Sequence, residues 1–336
     1  MSNLTTTTRE AFEKSLISQV FQKQVILAIM TEHDRIKVSG TGLKMISQKS
    51  TGESLAQDYS GNDPMTSGSI DRFDNPTFGW KKWQLPVEYN SDDDLENEGT
   101  EAQVSPVNLV ETLVKCAQDD AKRHVAKLMY TDNTTTSDSG KKCQSLIDAL
   151  SMSTLTYGAI VRSTTANTHW NGASLAGTWA DQATAITPSL SNIRSMLYKV
   201  KANAENDSDK LYIVCGTSIF SQIRTQLEVK LAYTTEGAAL RRPKYGLDSM
   251  MFDGAEIVRD SYLDVMTPLT TDKYLFILNP STWRYAMHPK RAMKFTGFTW
   301  QGDQANGLDK YMGRILWKGN LMCANPNQNM FRSNVA

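Results

Sequence analysis

The stretch SPVNLVETLVKCAQDDAKRHVAKLMYTD, residues 105–132, constrains this chain more than any other. Val110, Val114, Ala117, Ala121, Val125 and Leu128 step by three or four residues, which lays one apolar stripe along a helix. Ser105 suits the N-cap and Pro106 the first helical position, where a missing N–H costs nothing. Lys122, Arg123 and Lys127 fall late, where the helix dipole favours cations. About 25 residues at 1.5 Å each make a helix roughly 37 Å long. That is long for a globular domain in a chain of 336 residues.

The flanking segments are of mixed type. The first eight residues are polar and Thr-rich, a composition that predicts disorder until a partner binds. From Arg9 to Met30, Phe12, Leu16, Val20, Phe21, Ile26, Leu27 and Met30 recur at helical spacing, with nothing nearby in sequence to cover them. Residues 36–50 alternate like a strand, 51–79 are rich in Gly, Ser, Asp, Asn and Pro, and KKWQLPVEYN at 81–90 reads as a second strand. Two strands around a polar excursion predict an extended hairpin arm. Such an arm buries little apolar surface of its own and needs something to lie on.

Beyond the long helix, 131–142 is a polar loop and QSLIDAL a short helix. Residues 187–203 form a third amphipathic helix, with Pro188 near its start. KLYIVCGTSIFSQIRTQL reads as strand, glycine turn and helix; MMFDGAEIVRD and KYLFILNPSTWRYAM are strand-rich; AMKFTGFTW and RILWKGNLMCANPN close the chain with two more strands. The order is α+β, without the regular alternation of a doubly wound sheet and without an internal repeat.

Charge narrows the function. Thirty-six Lys and Arg balance 36 Asp and Glu. Wrapping nucleic acid needs excess cations on phosphates, which this chain lacks; neutrality suits a protein that packs against copies of itself. Cys116, Cys143, Cys215 and Cys323 are far apart with no CxxC, so free thiols in a reducing compartment are expected. The N-terminus does not read as a signal peptide, and VILAIM at 25–30 is too short to span a bilayer.

The conspicuous site candidate is NSDDDLENE at 90–98, where Asp92, Asp93, Asp94, Glu96 and Glu98 crowd five carboxylates into seven positions. A calcium loop fails in both frames: Leu95 takes the glycine position in one, and Ser105 the final glutamate position in the other. A solvated charged turn leading into a helix is the simpler reading. Gly216-Thr217-Ser218 imitates a nucleophile elbow, but Phe220 stands where that pattern wants glycine, and a helix N-cap by Thr217 or Ser218 explains the residues. Gly302 and Gly307 have phosphate-loop spacing but are followed by Leu308 and Asp309. GTGLKM at 40–45 lacks the third glycine of a dinucleotide fingerprint. His33, His124, His169 and His288 show no metal-ligand spacing, and Cys116 lies about 12 Å along the helix from His124. No catalytic, cofactor or metal residues are expected.

The order of elements and the local wording together resemble the major capsid proteins of tailed bacteriophages, the Hong Kong 97 type of fold. LPVEYNSDDDLENEG ahead of the long helix is similar to that family's approach to its spine helix. CQSLIDALSMSTLTYGAIVRSTTANTHWN, FDGAEIVRD and ILWKGNLMCANPNQ resemble three further stretches of these coat proteins. The likeness runs from about residue 36 to the end.

The resemblance implies an N-terminal arm at 1–35 and an extended β-hairpin loop at 36–98 lying over a neighbouring subunit. It implies a peripheral domain at 99–205 and 286–336 with a spine helix at 105–131, and an axial domain at 206–285. It implies a virion protein with no catalytic activity, assembled in the host cytoplasm, whose main partner is itself in hexamers and pentamers of an icosahedral shell. A separate scaffold protein, a portal, a decoration protein and non-specifically held packaged DNA are the further partners, with no membrane. Some members join subunits through a Lys–Asn bond; Lys49, Lys81, Lys82, Asn325, Asn327 and Asn329 match no crosslinking motif, and none is expected. In this frame Asp92, Asp93, Asp94, Glu96 and Glu98, with Lys81 and Lys82, are subunit-contact residues. The alternatives are a nanocompartment shell of the same architecture and a metal-dependent hydrolase using the 92–98 carboxylates.

Overall fold

A computed structural model describes residues 25–33, 35–37, 40, 42–49, 55–61, 63, 68–92, 106–131, 141–152, 156–162, 165–176, 182–204, 210–231, 249–260, 263–264, 274–302 and 309–335. The chain begins with α1 (Val25–His33) and β1 (Arg35–Lys37). Four two-residue strands follow: β2 (Leu43–Lys44), β3 (Ser47–Gln48), β4 (Phe73–Asp74) and β5 (Thr77–Phe78). Next come β6 (Lys81–Asn90), α2 (Pro106–Tyr130), α3 (Leu146–Leu150), β7 (Thr156–Tyr157) and β8 (Ile160–Val161). The middle holds α4 (Leu190–Asn203), β9 (Leu211–Cys215), α5 (Thr217–Leu231), β10 (Ser249–Phe252), β11 (Ala255–Arg259) and β12 (Leu275–Leu278). The chain closes with β13 (Trp283–Met287), β14 (Lys294–Phe295), β15 (Thr299–Trp300), β16 (Lys310–Cys323) and β17 (Met330–Arg332).

The long helix forms as its spacing predicts: Val114, Ala117, Ala121, Val125 and Leu128 are buried, and Lys127 sits in the last turn. Burying a Val or Leu side chain is worth about 1.5–3 kcal/mol, so this stripe holds the helix in place more than its propensity does. The helix packs on β6 and α3. The Val25–Met30 run of α1 is apolar, with Ile26, Leu27, Ile29 and Met30 buried against β13 and the turn before it. The cover missing from its sequence neighbourhood therefore comes from about 250 residues downstream. The rest of the helix expected from Arg9 lies outside the described residues.

Two sheets share the core. The six-stranded sheet is organised by β16. One edge of β16 takes β6 over ten antiparallel pairs, Lys81↔Gly319 to Asn90↔Lys310. β13, β14 and β15 also pair with β16 in turn, and β1 lies parallel to β13. The hairpin expectation is corrected here. Strand 81–90 does not pair with 36–50; its partner is β16. The arm is closed instead by β2 with β5 and β3 with β4, so it spans 43–78. Every second residue of β6 is a candidate for burial, and a wide apolar strand competes better for such a face than two short polar ones. Local sequence cannot show that this strand is supplied more than 200 residues later.

The five-stranded sheet runs β10-β11-β9-β12-β17. All five residues of β9 and all four of β12 are buried. Leu211, Ile213, Leu275 and Ile277 face the core beneath α4 and α5, while Tyr212, Val214, Phe276 and Leu278 face the core that holds α1 and α2. A sheet buried on both faces reads as an unbroken apolar run, as LYIVC and LFIL do. β10 and β11 are joined at Asp253 and Gly254, both with positive φ (47° and 82°), the mirror-image turn that Asp-Gly favours.

Candidate assembly surfaces

The arm is anchored at its root. The Thr77 N–H donates to the Gly158 carbonyl at 2.9 Å, and Phe78 meets the Tyr157 ring edge-on, centroids 5.2 Å apart. Gly158 lies in the β7–β8 turn at φ +60°, and a Cβ there would sit 2.8 Å from the Phe78 ring and 2.9 Å from Pro76. The Trp80 indole donates to the Gly40 carbonyl at 2.9 Å. Asp74 gathers Lys49 at 3.8 Å and His169 at 3.4 Å, tying the arm to the turn before Trp170. Away from the root the arm turns apolar side chains outward: Ile46 is 74 % exposed, Tyr59 65 % and Phe73 60 %.

A second surface lies at the far end of β6 and β16. Tyr89 stacks on Tyr311 at 5.0 Å and meets Phe298 edge-on, and Trp300 beside them is 45 % exposed. Lys310 pairs with Glu88 at 2.7 Å. A third lies where α4 meets the β10–β11 turn. There Arg194 bonds Asp253 at 2.6 Å, Lys201 donates to the Asp253 carbonyl at 2.8 Å, and Tyr198 and Met251 are exposed.

Of the residues predicted for subunit contact, Asp92 is exposed just past the end of β6, and Lys81 and Lys82 stand at its start. Eight residue steps along β6 carry the chain from Lys82 to Asn90, roughly 26 Å, so Asp92 lies far from Lys82 along the strand. Asp93, Asp94, Glu96 and Glu98 lie outside the described residues. Lys82 does border a cavity of about 180 Å³ between β6, α2 and β16.

The imitated motifs resolve into packing. Gly216 makes the turn from β9 into α5, but the cap is neither Thr217 nor Ser218. Asp264 supplies it, accepting from the Thr217 N–H at 2.9 Å and from the Thr217 hydroxyl. That correction has a simple origin: a carboxylate at a helix N-terminus satisfies donors and dipole together, and it arrives from 47 residues away. Lys44 and Leu43 of GTGLKM are an arm strand; residues 303–308 of the glycine-spaced loop lie outside the described residues. All four cysteines are free, Cys116 exposed and the others buried. Burial pushes the Cys143, Cys215 and Cys323 thiols up to about 12, so they stay protonated and unreactive. Among the described residues no cluster of three His, Cys, Asp or Glu side chains could hold a metal, and no helix is long and apolar enough to cross a membrane.

Sequence reasoning missed the polar hub at Asn329. Its amide oxygen accepts from the Trp283 indole at 2.8 Å and the Asn279 N–H at 2.7 Å, and its amide nitrogen donates to Thr282 at 2.9 Å and the Asn325 carbonyl at 3.1 Å. No local pattern marks Asn329, because its partners come from 279–283 as well as from its own turn.

No family model matches the sequence, and no curated protein matches it. Solved structures do match. The capsid protein of cyanophage A-1(L) aligns with TM-score 0.62 at 12 % identity over 92 % of each chain. The capsid of a native GTA particle aligns with TM-score 0.57 at 9 % identity, over 92 % of this chain and 90 % of that one. The SrpI encapsulin of Synechococcus elongatus PCC 7942 aligns with TM-score 0.55 at 8 % identity, over 92 % and 87 %. The chain therefore has the fold of shell-forming proteins. The matched structures are mainly phage capsids, so the fold is that of the tailed-phage major capsid proteins.

Proposed function

We propose that this chain is the major capsid protein of a tailed phage, of Hong Kong 97 type, and that it assembles through hexamers and pentamers into the icosahedral shell around a double-stranded DNA genome. The observation that carries the reading is the arm at 43–78: a two-stranded ribbon rooted on its own subunit, with Ile46, Tyr59 and Phe73 turned to solvent. A ribbon this narrow is marginal alone, and apolar side chains displayed along it suit a surface on another copy. Contacts between unlike patches of identical subunits close into rings and shells.

In this reading residues 1–35 are the N-terminal arm, 36–98 the extended loop region, 99–205 and 286–336 the peripheral domain with the spine helix, and 206–285 the axial domain. Strand 81–90 then belongs physically to the peripheral sheet, although it follows the arm in sequence. The protein acts by assembly and not by catalysis. A separate scaffold, a portal and a decoration protein are its partners in the virion. The carboxylates at 92–98 face basic side chains of a neighbouring copy.

A nanocompartment shell is the second reading, favoured by the likeness to the encapsulin. Electron microscopy of the expressed protein, with and without co-expressed scaffold, tests the first. Closed particles of uniform size are expected. A protein that stays monomeric under every assembly condition overturns both readings. Particles of native source that hold a cargo enzyme in place of DNA favour the second.

A further inference from the structure

One face of the six-stranded sheet is both solvent-facing and basic. Residues paired across neighbouring strands point to the same side, and side chains alternate along each strand. Lys82 and Glu88 of β6 therefore share a face with Lys310, Arg314 and Lys318 of β16 and with Lys294 of β14. Trp83, Leu85, Ile315 and Trp317 point the other way, into the core. Glu88 is the one carboxylate that these strands place on the basic face, and Lys310 already holds it at 2.7 Å. Lys82 and Lys318 stand directly opposite each other, a pairing of like charges that is destabilising. Arg314 reaches a neutral acceptor, the Gln84 amide oxygen at 3.4 Å, and Lys318 lies over the Trp80 ring at 5.0 Å. Among the described residues no carboxylate pairs with Lys82, Arg314 or Lys318. Pro86, Met312 and Leu316 stand between the cations and give the face an apolar centre.

Resting on the shell reading, we propose that this face receives the acidic outer half of the arm from a second copy of the chain. The charges are complementary. Residues 50–71 carry Glu53, Asp58, Asp63 and Asp71 and no Lys or Arg, in a chain that is neutral overall. Asp58 and Asp63 are exposed, and neither forms an ion pair among the described residues of its own copy. The lengths match as well. Beyond Lys49, whose N–H bonds the Arg72 carbonyl at 2.8 Å, residues 50–60 reach at most about 36 Å. The ten pairs of β6 with β16 make a face about 30 Å long. Tyr59, 65 % exposed beside Asp58, has apolar ground to cover at Pro86, Met312 and Leu316. Exposed ion pairs add little each, so opposite charge on ribbon and sheet sets the register of the contact more than its strength.

Charge reversal tests the pairing. In assembling protein, Lys82→Glu with Arg314→Glu is expected to raise the concentration needed for assembly about tenfold, and Asp58→Lys with Asp63→Lys to do the same. All four changes together are expected to restore assembly. The four positions are exposed, so the thermal midpoint of the unassembled subunit should hold. If the wild type forms no particles, the shell reading itself falls and the pairing with it. If the wild type assembles and the reversals do not impair it, or impair it without mutual rescue, only the pairing falls. Rescue of Lys82→Glu with Arg314→Glu by Asp93→Lys with Asp94→Lys, in place of the arm changes, overturns it too. A second measurement reads the contact directly. Asp58→Cys protein is assembled together with Arg314→Cys protein and oxidised with copper phenanthroline. Each copy carries only one of the new thiols, so a disulfide between positions 58 and 314 must join two copies. Mass spectrometry of the digested particles is expected to find that link. Links confined to 58 with 58, 314 with 314, or either with the exposed Cys116 overturn the pairing.

Discussion

Tyr130, the last residue of α2, donates its phenolic hydrogen to a carboxylate oxygen of Asp260 across 2.7 Å, with both side chains buried. Asp260 directly follows β11, and its N–H is bonded to the Cys215 carbonyl at the end of β9. One hydrogen bond thus pins the end of the long helix to the five-stranded sheet. Replacing Tyr130 by Phe keeps the ring against Phe276 and removes only the donor. A loss of about 1–3 kcal/mol in unfolding free energy is expected, because a buried carboxylate loses a partner. Urea denaturation of unassembled subunits measures it.

Alkaline pH acts on the same region. Burial, then the Asp260 charge, holds Tyr130 well above its ordinary value, and burial does the same to Tyr157. Cys143, Cys215 and Cys323 are pushed up to about 12. The unfolded chain gives up these protons at lower pH than the folded chain does. Stability is therefore complete below about pH 9 and falls as pH rises toward the folded values. Denaturation midpoints measured from neutral to strongly alkaline buffer should decline on this side, and less steeply in Tyr130→Phe.

The arm's outer face is expected to matter for assembly and not for folding. Ile46→Ser and Phe73→Ser change exposed side chains, so the subunit's thermal midpoint should stay within a degree or two of wild type, roughly the scale of surface substitutions. If each side chain is buried on a neighbour, its loss weakens that contact by about 1.5–3 kcal/mol. Sedimentation of assembly reactions would show free subunits where the wild type gives particles.

Gly158→Val separates the root of the arm from the rest of the subunit. A side chain there would collide with Phe78 and Pro76 and would hold a left-handed backbone angle. The cost is about 1–3 kcal/mol. It falls on the contact of the β7–β8 turn with the arm, so the arm should become the first site of proteolytic cleavage. Mass spectrometry of brief digests locates the cut; cutting elsewhere first would show that the arm is not held by this turn.

The Asn329 hub is expected to be the least tolerant polar site. Alanine leaves the Trp283 indole, the Asn279 N–H and the Thr282 hydroxyl without that partner, all of them buried. Unsatisfied buried groups cost about 1–3 kcal/mol each. Asn329→Ala should therefore lower stability more than Tyr130→Phe, as read by the same urea titration.

Local sequence determined the elements. The three-and-four spacing of Val114, Ala117, Ala121, Val125 and Leu128 specified α2, Ser145 with Asp148 capped α3 as a reciprocal pair, and the unbroken runs LYIVC and LFIL marked strands covered on both faces. These signals act over a few residues, so they survive in a sequence read alone. Tertiary structure decided the partners. It gave β6 to β16 and not to the arm, supplied the cap of α5 from Asp264, joined Tyr130 to Asp260, and placed Lys82, Lys141 and Lys142 around one cavity. Strand edges and buried donors are chemically alike wherever they occur. Which of them meet depends on the packing of the whole core, and no short stretch of sequence encodes that choice.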